Sequence, residues 1–89
     1  MRQQYLEVTY RKGRVIAAYL YLPRPAGTRS ATTIEVAPGL LADLGSTGAV
    51  IGLEITAPGQ VSLATINSAL KDLSQPPIDA AELSPLQVA

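Results

Sequence analysis

The chain has 89 residues, of which 47% are hydrophobic, and this length allows one small domain with a single core. Seven Lys and Arg balance seven Asp and Glu, so no net positive field attracts nucleic acid or an anionic membrane surface. Cys and His are both absent, which excludes disulfides, thiolate and imidazole metal ligands, and the commonest nucleophile and base pairs of enzymes.

The apolar residues are aliphatic, because Trp and Phe are absent and Tyr supplies the four aromatic side chains. The longest apolar run, Val15 to Leu22, has eight residues, and a membrane-spanning helix needs roughly 20. The first residues alternate between polar and apolar and lack the unbroken hydrophobic stretch of a signal peptide. We therefore expect a cytoplasmic protein with no membrane partner.

Two alternating segments at the start of the chain predict a β-hairpin. Tyr5 to Tyr10 has the period of a half-buried strand, and Gly13 permits a tight turn after it. Val15 to Leu22 is apolar on both faces, which is typical of a strand covered on both sides. One face is predicted to carry Ile16, Ala18, Leu20 and Leu22, and the other Val15, Ala17, Tyr19 and Tyr21.

Three further strands are predicted after the proline-containing loop at residues 23–27, where two prolines and a glycine exclude regular structure. Ala31 to Val36 alternates and ends at Pro38-Gly39. Leu40 to Leu44 suits either a short strand or one helical turn, and the glycine-bounded turn after it favours a strand. In the last strand, Ala49 to Ile55, one face is predicted to carry Ile51, Leu53 and Ile55, and the other Val50, Gly52 and Glu54.

After Pro58 and Gly59, the spacing of the apolar residues changes from every second residue to about every 3.6 residues, which predicts an amphipathic helix with one apolar stripe. Ser62 is the expected N-cap, and Pro76 and Pro77 end the helix. In the tail, Asp79 and Glu82 have the spacing of a capping box and support one short turn. The apolar stripe consists of Leu63, Ile66, Leu70 and Leu73.

These elements predict one α+β domain over residues 1–89: an antiparallel β-meander of four to five strands (1–57), one C-terminal amphipathic helix packed on one face (58–75), and a Pro-containing tail (76–89). A helix of about three turns cannot cover a whole sheet. The remaining apolar surface needs another cover, either the tail or a second copy of the chain.

The segment from Gly48 to Ile55 resembles a strand found in a family of small bacterial proteins of unknown function, with the pattern Gly-x-x-x-Gly-Ile-Glu-Ile-Leu. Leu20-Tyr21 matches an upstream strand of that family, and Asp43 the start of its acidic turn. This chain replaces most of that turn by Gly45-Ser46-Thr47 and carries the basic link Arg11-Lys12-Gly13-Arg14 where the family has an acidic one. The resemblance implies a compact β-meander without assigned catalytic residues.

The candidate surface site consists of Glu35, Glu54, Tyr19 and Tyr21. Two carboxylates on adjacent strands could bind a divalent cation or act as an acid and base pair. The favoured interpretation is that both are solvent-facing strand residues paired with Arg or Lys. Gly52 is expected to let a bulky neighbour, Tyr19 or Tyr21, lie across it.

The favoured function is a non-catalytic protein-interaction module that self-associates as a dimer, without a cofactor, a metal or a nucleic-acid partner. The candidate interface consists of Leu63, Ile66, Leu70, Leu83 and Leu86. One alternative is an antitoxin-like or regulatory partner of another protein. A second is a minimal ligand-binding protein or enzyme that uses the strand carboxylates.

Overall fold

The computed structural model describes residues 4–24 and 27–82. One five-stranded antiparallel sheet is followed by a 3-10 turn and one α-helix, so the predicted α+β class is confirmed. The elements are β1 (Tyr5–Arg11), β2 (Arg14–Tyr21), β3 (Ser30–Ala37), β4 (Leu40–Gly45), β5 (Val50–Ile55), the 3-10 turn (Pro58–Gln60) and α1 (Leu63–Asp72).

The strand order is β1-β2-β5-β4-β3. Consecutive strands pair as expected within the β1–β2 hairpin and the β3–β4–β5 meander. β2 pairs with β5 rather than with β3, so the loop after β2 leads to the far edge of the sheet. The three most apolar strands thereby occupy the interior positions, and the more polar β1 and β3 form the edges.

Two tight turns hold the hairpins. Lys12 and Gly13 both have positive φ, 53° and 79°, as the two-residue turn favoured between twisted antiparallel strands requires. Pro38 and Gly39 form the turn between β3 and β4, with Gly39 at φ 77°. A Cβ on Gly39 would lie 2.8 Å from the Cβ of Ala57, so this turn also packs closely against the chain that leaves β5.

Two β-bulges change the strand faces that alternation predicted. The register of the β1–β2 pair shifts between Thr9 and Tyr10, so Ile16 is an extra residue in β2. Val15 therefore packs against the core, and Ile16 is 46% exposed. Ile51 is the corresponding extra residue in β5, and Val50 joins the core. A bulge sets two residues against one on the neighbouring strand, so the predicted alternation is wrong at these positions.

The core lies between the sheet and α1. Its helix residues are Ile66, Ala69 and Leu70, which pack with buried side chains of β2, β4 and β5. The N-cap prediction is confirmed, because the Ser62 side chain accepts a hydrogen bond from the Thr65 N–H. None of the helices in the described part of the chain has the length and apolar character to span a bilayer.

The chain after α1 returns along the helix. Ser74, with φ 61°, follows the C-cap Leu73 and reverses the backbone, so α1 ends within the range predicted for it. Ile78 enters the core, and the Glu82 N–H donates to Asp79 Oδ1 at 3.2 Å. This last contact is the backbone half of the predicted cap.

Candidate functional site

One face of the sheet is turned away from α1, because its residues alternate with the buried residues that contact the helix. Cross-strand pairing arranges this open face in two rows. The first row runs Glu7, Tyr19, Glu54, Leu41, Glu35, and the second runs Tyr5, Tyr21, Gly52, Asp43, Thr33. The open face therefore combines tyrosines, carboxylates and one leucine.

A hydrogen-bond network centred on Asp43 crosses the open face. The Tyr19 hydroxyl donates to Asp43 Oδ2 at 2.7 Å, and the Thr33 hydroxyl donates to Asp43 Oδ1 at 2.6 Å. Tyr19 reaches Asp43 by passing over β5 at Gly52, where a Cβ would overlap the ring and hydroxyl of Tyr19. The expectation that a tyrosine lies across Gly52 is confirmed, and the tyrosine is Tyr19.

The environment of Tyr19 raises its pKa well above the ordinary value of 10.0, first by burial and then through the hydrogen bond and charge of Asp43. An ionised phenol would lose its proton donation to the carboxylate and face a like charge. Tyr19 is therefore held protonated as a donor. The pKa of Tyr21 is raised in the same sense, first by burial and then by the charge of Glu7.

Three tyrosines pack into a cluster, which we call the tyrosine patch: Tyr5, Tyr19 and Tyr21. The rings of Tyr5 and Tyr21 stack with centroids 4.5 Å apart and planes inclined by 17°. Tyr19 and Tyr21 meet at 4.6 Å and 54°, and the Arg24 guanidinium lies 5.6 Å from the centre of the Tyr21 ring. Aromatic pairs of this kind contribute about 0.5–1.5 kcal/mol beyond area burial.

The two predicted carboxylates do not form a shared site. Glu54 lies on β5 and Glu35 on β3, and each is opposite Leu41 on the strand between them. Strand spacing places their backbones about 10 Å apart, with an apolar side chain in the gap. The expectation of adjacent strands is therefore wrong. In residues 4–24 and 27–82 no cluster of three or more acidic side chains is arranged to hold a metal ion.

The carboxylate at the centre of this face is Asp43, which lies in the strand predicted over Leu40 to Leu44 and which the family resemblance matched to the start of an acidic turn. Its side chain points to the same face as Leu41, two residues earlier in β4, as the strand period requires. That period alone could have assigned Asp43 to a face. Its contact with Tyr19 depends on β5 lying between β2 and β4, which no local pattern contains.

The predicted interface on the helix is mostly interior. Ile66 and Leu70 are fully buried in the domain's own core, and Leu63 is half-buried against it. These side chains are occupied within one chain because the stripe packs on the sheet. Leu83 and Leu86 lie outside the described residues.

An open groove of about 490 Å³ runs between α1 and the returning chain. Asn67, one of its polar residues, is already engaged, because its amide donates to the Ile78 carbonyl at 3.0 Å and accepts from the Ile78 N–H at 2.9 Å. The other polar side chains of the lining are Ser68, Lys71 and Gln75. The groove is lined by Ala64, Asn67, Ser68, Lys71, Gln75 and Pro77.

Comparison of the chain with protein-family models, with curated proteins and with solved structures finds no match. The resemblance to the small bacterial family stays a prediction, and the open face is interpreted from its own geometry.

Proposed function

We propose that this chain is a non-catalytic protein-interaction module that self-associates. Two exposed tyrosines of the edge strand β1 carry the proposal: Tyr10, and Tyr5 of the tyrosine patch. Tyrosine is enriched in the cores of protein interfaces because its ring offers a large apolar area, its hydroxyl can bond across the contact, and few torsions are ordered on binding. Tyr10 is 54% exposed, and Tyr5, at the border of the patch, is 46% exposed.

The polar groups of the open face support recognition over catalysis. The Tyr19 hydroxyl stays protonated and is committed to Asp43, so it is a poor candidate for a general base. Glu35 and Glu54 are separated by Leu41, whereas an acid and base pair has to converge on one substrate. A dimeric state and a cytoplasmic location, both expected from the sequence, are part of this proposal.

Sedimentation equilibrium across a wide range of protein concentration tests self-association. We expect a reversible dimer at high micromolar concentration, and a strictly monomeric protein there would overturn the proposal. Tyr10→Ala should weaken the dimer at least tenfold, about 1.4 kcal/mol. The control is Ile34→Ala, which removes a side chain that is 40% exposed on β3 and should leave the dimer constant unchanged.

A thermal-shift screen with divalent metals and small metabolites separates this function from the ligand-binding alternative. A ligand that binds the folded state raises the melting temperature in proportion to the logarithm of its concentration above Kd. We expect no such shift. A saturable shift that Glu54→Gln abolishes would favour the ligand-binding alternative.

A further inference from the structure

We infer that two copies of the chain join through β1, edge to edge and antiparallel, about a two-fold axis at Thr9. The two five-stranded sheets then form one continuous sheet of ten strands. This inference rests on the proposed self-association and names the surface that mediates it.

The two edges of the sheet differ in their ability to accept another strand. β1 and β3 are the edges, and an edge presents unpaired N–H and C=O groups. β1 has no extra residue between Tyr5 and Arg11, because the bulge of its hairpin lies in β2. β3 has two extra residues, Ala31 and Val36. Bulges interrupt the ladder and protect an edge, so β1 is the regular edge.

β1 also carries two exposed large apolar side chains, Tyr5 and Tyr10. β1 is the edge strand opposite β3, and the α1 backbone contacts β3. Among the large apolar side chains of residues 4–24 and 27–82, Tyr10 has the highest exposed fraction, 54%, and Tyr5 follows with Ile16. A strand added beside β1 would pack against the Tyr10 ring as a cross-strand neighbour.

The charges of β1 are complementary to themselves in an antiparallel arrangement. A two-fold axis at Thr9 sets Glu7 opposite the partner's Arg11 and Val8 opposite the partner's Tyr10, and symmetry repeats both pairs. Opposite charges and apolar pairs directly across two strands stabilise a sheet, whereas like charges there destabilise it. This register keeps the two copies of Glu7 apart, and likewise the two copies of Arg11.

The two-fold axis stands perpendicular to the sheet, so both open faces lie on the same side of the dimer. Tyr5, Tyr19 and Tyr21 of one copy then face the same way as those of the other. The dimer would present one extended face with two tyrosine patches, and both helices would lie behind it.

Cysteine crosslinking tests the edge, because the chain contains no native Cys. Residues directly opposite in an antiparallel pair have Cα atoms about 4.5–5.5 Å apart, within the roughly 4.4–6.8 Å that a disulfide spans. Oxidised Thr9→Cys should therefore form a covalent dimer in high yield. The control Thr32→Cys, an exposed threonine on β3, should stay monomeric on a non-reducing gel.

Charge exchange tests the register. Glu7→Arg and Arg11→Glu should each weaken the wild-type dimer at least tenfold, and the double variant should restore it. Circular dichroism checks that each variant is folded. Crosslinking of Thr9→Cys without restoration by the double variant would overturn the pairing of Glu7 with Arg11.

The outcomes separate this inference from the function on which it rests. A wild-type chain that is monomeric at high concentration overturns the proposed self-association and the β1 interface together. A wild-type dimer in which Thr9→Cys does not crosslink, or in which Thr32→Cys crosslinks instead, overturns the β1 interface and leaves self-association standing. An extended-peptide partner would appear as a monomer whose Thr9→Cys crosslinks to a peptide in a displayed library.

Discussion

Replacing Gly52 by Ala should destabilise the domain through Tyr19 and not through the backbone. The φ of Gly52 lies outside the left-handed region, so residues with a side chain can also adopt this backbone conformation. On backbone terms alone, Ala in a strand is favoured over Gly by about 0.5–1 kcal/mol. The added Cβ, however, would overlap the Tyr19 ring. The ring must therefore leave its position.

The cost of that displacement follows from the contacts of Tyr19. Its hydroxyl donates to the Asp43 carboxylate at 2.7 Å, and hydrogen bonds to charged groups contribute about 1.5–3 kcal/mol. Its ring packs on Tyr21 with centroids 4.6 Å apart, a contact of about 0.5–1.5 kcal/mol. Because the site is half exposed and Ala gains on the backbone, we expect Gly52→Ala to lower the free energy of unfolding by about 1–3 kcal/mol.

Urea unfolding followed by circular dichroism, at one fixed protein concentration, measures this loss. Gly52→Ala is made in the wild type and in Tyr19→Ala, which completes a double-mutant cycle. Without the Tyr19 ring, the substitution should be neutral or should stabilise by about 0.5–1 kcal/mol. An equal loss in both backgrounds would show that Tyr19 is not the obstacle, and the reasoning would fail.

Three other substitutions test separate contacts. In urea unfolding, Gly39→Ala should lower the free energy of unfolding by at least about 1 kcal/mol more than Gly13→Ala. Both glycines have positive φ, but of the two only Gly39 would place a Cβ 2.8 Å from a neighbouring Cβ. Equal losses of stability in the two variants would refute the close approach at Gly39. Asn67→Ala removes two hydrogen bonds to the backbone of Ile78. It should lower the free energy of unfolding by about 1–3 kcal/mol and speed amide exchange in the chain after α1. The control Ser68→Ala, at an exposed position, should change stability by less than about 0.5 kcal/mol. The pKa of Tyr19 is raised on folding, so its stabilising contribution is complete below the ordinary pKa of 10.0 and is lost as the pH rises through the folded value. Stability of the wild type should therefore fall more steeply than stability of Tyr19→Phe as the pH rises above 10.0, and identical pH profiles would contradict this origin.

The secondary structure could be predicted because its signals are local. Alternation identified β1, β3 and β5, the two apolar faces of Val15 to Leu22 identified β2, and the glycine-bounded turn after Leu44 favoured a strand for β4. The change of period after Pro58 identified the helix. Ser62 caps α1 through a contact that spans three residues, and Gly13 has the positive φ expected of its turn. Each of these features depends on neighbours within a few positions, so the chain can be interpreted segment by segment.

The strand faces could be predicted only where no residue is inserted. Ile16 and Ile51 are extra residues relative to the neighbouring strand, and a bulge reverses the assignment of the positions beyond it. Val15 and Val50 consequently pack with the core. A bulge is defined by two strands together, so the alternation within one strand does not contain it.

The candidate site depended on strand order more than on residue type. Tyr19, Gly52 and Glu54 were expected on one face, and they share it. Glu35 was expected beside Glu54, but β4 lies between them. The same strand order places β5 between β2 and β4. Tyr19 therefore crosses β5 at Gly52, and its hydroxyl reaches the Asp43 carboxylate.

A single small domain with an aliphatic core, built of strands followed by one helix, follows from the local pattern of this sequence, because periodicity, turn residues and caps act over short distances. The Asp43 network, the burial of Ile66 and Leu70 and the choice of β1 as the regular edge followed from the folded sheet. They depend on register and strand order, which are settled by contacts between residues far apart in the chain.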